Sequence, residues 1–75
     1  MKLERGTIIK WWDDHGEAQD QEGRKVFIHL NQFCIRDGPF WRQGGSPPKN
    51  IKGRGIVFVA REGRKVREAT NWALT

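Results

Sequence analysis

Two side chains in the segment KVFIHL, residues 25–30, do not suit a plain core strand. Strand alternation puts Val26, Ile28 and Leu30 on one face, and Lys25, Phe27 and His29 on the other. A phenyl and an imidazole at i and i+2 on a sheet lie about 7 Å apart. Rings so placed stack on nucleobases, which offer a π-face whatever their sequence, at about 1–3 kcal/mol per base. The competing role for both rings is core, beneath a neighbouring segment such as residues 34–52.

Other residues fit the same chemistry. Trp11 and Trp12 are adjacent, so a regular strand turns one inward and the other outward. Either is a candidate for the ring-bearing face, and Lys10 supplies charge at its edge. Phe40 and Trp41 lie between Arg36 and Arg42. Rings interleaved with guanidinium groups suit a clamp that stacks on bases and pairs with phosphates. The alternative is that one of these rings plugs the end of the fold. Arg64 and Lys65 sit at a turn tip and are the preferred phosphate contacts. Arg61, Arg67, Lys49, Lys52 and Arg54 are further cations, with ordinary solvated charge as the competing reading. Trp72, near the end of the last strand, is expected to close the core.

Catalytic and metal chemistry find less support. The acidic run Asp13, Asp14, Glu17 and Asp20 contains His15, but its spacing implies no convergent ligand set. Its expected effect is to repel phosphate. Cys34 and His29 are too loosely placed for a nucleophile and its base, and no Gly-rich loop leads into a helix. The reading is therefore no enzyme, no metal and no cofactor.

These residues need strands to hold them. GTIIKWW (6–12), KVFIHLNQF (25–33) and GIVFVARE (55–62) are rich in β-branched and aromatic residues. DDHG (13–16) and the two EGRK segments (22–25 and 62–65) have turn chemistry, so residues 55–72 read as a hairpin. EAQDQ (17–21) has almost no β-forming residues and stays ambiguous. Residues 34–53 carry four glycines and three prolines, which predicts a long loop without a continuous strand or helix. Five short strands in 75 residues predict one all-β domain over 1–75, a small five-stranded antiparallel barrel with an extended loop at about 34–52 between its third and fourth strands.

Charge is distributed unevenly. Residues 1–35 hold five Lys/Arg and six Asp/Glu, whereas residues 36–75 hold nine Lys/Arg and three Asp/Glu, within a net charge of +5. A positive half-chain favours a polyanionic partner. One cysteine allows no internal disulfide, and no apolar run reaches the length of a membrane span. A cytoplasmic monomer without membrane contact is expected.

With these strands placed, the chain resembles the cold-shock domain family. GTIIKWWDDHG is similar to that family's opening strand and turn, Gly-x-Val-Lys-Trp-Phe-Asn and a polar turn. VFIHL is similar to its Val-Phe-Val-His-Phe ribonucleoprotein motif, and residues 53–72 follow its last hairpin at Gly53, Phe58, Glu62, Gly63, Ala69 and Asn71. The resemblance implies an OB-fold barrel binding single-stranded RNA or DNA, with a stacking ring from the 34–52 loop for which Phe40 or Trp41 would serve. Two departures stand out. The family's Lys-Gly-Phe-Gly-Phe-Ile motif falls on HGEAQD (15–20), which keeps only Gly16 and puts Asp20 where a core Ile belongs. Aligned without a gap, Lys10 takes the place of a stacking Trp, whereas a one-residue bulge would put Trp11 there. A degenerate barrel that instead binds a protein partner through loop 34–52 is the second reading.

Overall fold

The structure, a computed structural model, describes residues 2–75. Seven strands follow one another: β1 (Glu4–Trp11), β2 (His15–Asp20), β3 (Lys25–His29), β4 (Cys34–Asp37), β5 (Phe40–Gln43), β6 (Gly55–Glu62) and β7 (Arg67–Leu74). A single 3-10 turn, Leu30–Gln32, ends β3. Five strands close into a barrel in the order β1-β2-β3-β7-β6, an OB-like arrangement. Directions cannot alternate all the way round a ring of five, so at least one neighbouring pair must be parallel. That pair is β3 and β7, joined at Val26↔Arg67 and Phe27↔Glu68. The expected five-stranded barrel is present, antiparallel at every seam but this one.

The barrel interior is built by the alternation the sequence carries. Ile8, Ala18, Val26, Ile28, Ile56 and Phe58 point inward around Trp72, which is 0% exposed. The Trp72 indole donates from Nε1 to the His29 carbonyl at 2.8 Å and lies 4.8 Å from the Phe33 ring. It closes the barrel as expected.

The long 34–52 segment is more ordered than its composition predicts. It contains the β4–β5 hairpin, turned at Gly38 with φ of +60°. Gly38-Pro39 supplies a positive φ and then a fixed one, so the pair that forbids a long strand makes a tight turn between two short ones. Farther along, Ile51 returns to the barrel and is fully buried.

The opposite end of the barrel is polar. Asp20, where an apolar residue was expected, is buried with its carboxylate fully used. Oδ1 accepts from the Glu22 and Arg24 amides, both at 2.9 Å. Oδ2 accepts from Arg24 Nε at 3.0 Å and Arg67 Nη1 at 2.6 Å. Arg67 also binds Glu4 on β1 and approaches Glu62 at 3.5 Å. One guanidinium thus ties β1, β2, β6 and β7 together. Burial pushes the Asp20 carboxyl up, but the Arg24 and Glu22 amides and the Arg24 guanidinium outweigh it, and the balance lies below the ordinary value.

A carboxyl whose pKa is lower in the folded state stabilises the fold above its unfolded pKa, and that contribution is lost as pH falls through the folded value. Urea denaturation should therefore give a stability that, through Asp20, holds from neutral pH down and declines below about pH 4. Arg67→Ala, which leaves two sheltered carboxylates without their shared cation, should cost about 3–5 kcal/mol at pH 7. A cost below 1 kcal/mol would show that the cluster does not hold the barrel closed.

Candidate nucleic-acid interface

The outer face of β1, β2 and β3 carries the candidate site. Its rungs follow from the register. Thr7 opposes Gln19, which opposes Lys25; Lys10 opposes Glu17, which opposes Phe27; His15 opposes His29. The register of β1 shifts between Ile8 and Lys10, so Ile9 is the extra residue of a bulge. The bulge works opposite to the direction considered from sequence. It turns Lys10 outward and Trp11 inward, where the Trp11 indole meets Trp72 edge-on at 5.6 Å. Trp12 becomes the outward ring of the pair and is 47% exposed. Gly16 makes this approach possible, because a Cβ there would lie 2.3 Å from the Lys10 carbonyl oxygen and 2.7 Å from the Trp11 ring.

Four rings gather on this face. Trp12 stacks on His15 at 5.0 Å between centroids, His15 on Phe27 at 5.9 Å, and Phe27 lies 6.3 Å from His29. His15, Phe27 and His29 are half-buried. DDHG gives no sign of the His15 ring on this face, because it reads as a turn, yet β2 begins at His15. The signal that would have found it is alternation: Gly16, Ala18 and Asp20 go in, and His15, Glu17 and Gln19 go out.

Both imidazoles are held in place. His15 Nδ1 bonds Asp14 Oδ1 at 2.7 Å, and His29 Nε2 lies 4.0 Å from the other Asp14 oxygen. The His15 hydrogen bond holds the Asp14 carboxyl below its ordinary value. His29 Nδ1 accepts from the Asn31 amide at 3.1 Å, so a neutral His29 carries its proton on Nε2, toward Asp14.

Clefts border the rings on both sides. A cleft of about 720 Å³ lies between Phe27 and the β6–β7 turn, lined also by Glu17, Lys25, Arg64 and Lys65. Another, of about 410 Å³, runs from Trp11 and Trp12 to Pro47, Pro48 and Lys49. Lys10, Lys25, Arg64 and Lys65 make no ion pair among the described residues, whereas Arg61 is engaged by Glu68 at 3.1 Å.

The 34–52 rings stand apart from this assembly. Phe40 is 71% exposed beside the β4–β5 turn. Trp41 is covered by the Arg36 guanidinium at 5.2 Å, and Arg42 is exposed opposite Ile35. None of Phe40, Trp41 and Arg42 lines a cleft that borders the four rings.

Gly16→Ala should force β1 and β2 apart at the Trp11 rung. The expected cost is about 1–3 kcal/mol, or a Tm lower by about 4–8 °C per kcal/mol. Shifts in the His15 and Trp12 ring-proton resonances should accompany it. An unchanged Tm would mean that the bulge does not depend on this close approach. Comparison of the sequence with protein-family models and with curated proteins finds no match.

Proposed function

We propose that this chain is a non-catalytic module that binds single-stranded RNA or DNA, a divergent relative of the cold-shock barrels. The observation that carries the reading is the cluster of Trp12, His15, Phe27 and His29 on one open sheet face, flanked by cations that make no ion pair among the described residues. Rings that a soluble barrel leaves half-exposed and mutually stacked are a surface on which bases stack. His15 compensates in part for the aromatic positions that HGEAQD lacks. Lys10, Lys25, Arg64 and Lys65 would take the phosphates, and four such contacts predict a log–log salt slope of about −3.

Anisotropy of a labelled mixed-sequence octamer tests this. Phe27→Ala and His15→Ala should each weaken binding about 5- to 100-fold at fixed salt. Arg64→Ala with Lys65→Ala should flatten the salt slope by about 1.4. Phe40→Ala with Trp41→Ala should change affinity less than twofold, because that hairpin is remote from the rings. Absence of binding at low salt, or a Phe27→Ala/His15→Ala double variant that binds as well as the parent, would reject the reading.

The β4–β5 hairpin favours a second reading. Its outer face exposes Ile35 and Phe40 with no cover among the described residues, as a protein-docking strand pair would. A partner captured after nuclease treatment and lost with Phe40→Ala would move the function there.

A further inference from the structure

We propose that Glu17 reads the Watson–Crick edge of a guanine stacked on Phe27; this rests on the single-strand reading above. Glu17 is directly opposite Phe27 across the β2–β3 ladder, on the outer face, and both line the 720 Å³ cleft. Cross-strand neighbours in this arrangement have Cβ atoms about 5 Å apart. A base lying on the Phe27 ring therefore presents its edge within reach of this carboxylate.

The carboxylate is unpartnered in a way that its neighbours are not. Glu17 Oε2 is shielded from solvent and receives no hydrogen bond among the described residues. Lys10 opposes Glu17 on β1, yet Glu17 makes no ion pair among the described residues. The other carboxylates that are not exposed, Glu4, Asp20 and Glu68, each meet an arginine: Arg67 for the first two and Arg61 for the third. A shielded acceptor without a donor is costly unless something supplies one.

A turn of the Glu17 carboxylate toward the cleft it lines brings Oε2 to a bound base that can supply one, and the bases differ in how well. A carboxylate only accepts. Guanine alone sets two donors side by side on this edge, the N1–H and the N2 amine, matching the two carboxylate oxygens. Cytosine and adenine place one amine beside an acceptor nitrogen. Thymine and uracil place one N–H between two carbonyls, so a carboxylate oxygen must face a like partner. The charge that Glu17 brings near the phosphates is offset by Lys25, Arg64 and Lys65 around the same cleft.

The test compares labelled hexathymidylate with the same strand carrying one central guanine or one central inosine, which keeps N1–H and lacks the N2 amine. The guanine strand should bind on the order of tenfold tighter than the all-thymine strand, with inosine between them. Glu17→Ala and the isosteric Glu17→Gln should both lose that preference while still binding the all-thymine strand. Guanine and thymine strands bound within twofold by the parent, or a preference that survives both substitutions, would overturn the proposal and leave the single-strand reading standing. Variants that tighten every strand equally would assign Glu17 to phosphate repulsion alone and also overturn it. No binding of any strand at low salt would remove both.

Discussion

The indole of Trp72 joins the interior of this protein to its exposed face. It is fully buried, and a Trp side chain removes about 150–250 Å² from water. At about 25 cal/mol per Å² that is on the order of 4–6 kcal/mol, an upper bound comparable to the whole stability of a small domain. Two of its contacts set the geometry outside. The Nε1 hydrogen bond fixes the His29 carbonyl at the end of β3. The Trp11 ring packs against it because the Ile9 bulge turns Trp11 inward. Turning Trp11 inward sends Trp12 outward, onto His15. The four-ring face is therefore organised from beneath, by the packing of a side chain that never reaches it.

The two ends of the barrel solve the problem of a small core differently. One end is sealed by rings: Trp72, Trp11 and Phe33. The other is sealed by charge, with Arg67 gathering carboxylates from three other strands. Such a cluster is no more stabilising than well-packed apolar side chains would be, since each ion must be desolvated. It is more specific. The Asp20 carboxylate has four donors in fixed directions, two of them backbone amides of the β2–β3 turn, so it defines the turn as well as the contact. Gly23, at φ of +84°, lets the chain fold back within that turn.

How much of this could be read from the sequence follows from what each signal encodes. Strands with strong β formers, β3 and β6, and the final hairpin were legible because propensity and alternation agree there. β2 was not, since HGEAQD has no β-branched residue. It is a strand because it lies between β1 and β3 and fills the interior with small groups, a tertiary reason that local composition does not carry. The outward direction of Phe27 and His29 was legible from alternation alone. The direction of Trp11 and Trp12 was not, because one inserted residue reverses it and no residue type in TIIKWW marks the insertion. The β4–β5 hairpin was masked by the same Gly and Pro residues that form its turn. The role of Asp20 depends on Arg67, 47 positions away, and only the closed barrel brings them together.

The β2 strand connects these observations. Its inward positions, Gly16, Ala18 and Asp20, are two small residues and one bound carboxylate, leaving room for Trp11 and Trp72 at one end and for Arg67 at the other. Its outward positions are then free of any packing duty. They carry an imidazole, a carboxylate and an amide, where a ring-lined strand would carry aromatics. A face of rings alone binds bases with little regard to type, since stacking depends on π-surface. A face in which hydrogen-bonding groups alternate with rings trades part of that stacking energy for directional contacts to base edges, and direction is what discriminates one base from another. If the proposed single-strand binding holds, HGEAQD in place of an aromatic strand would lower general affinity and raise selectivity, a change in the kind of binding rather than its loss.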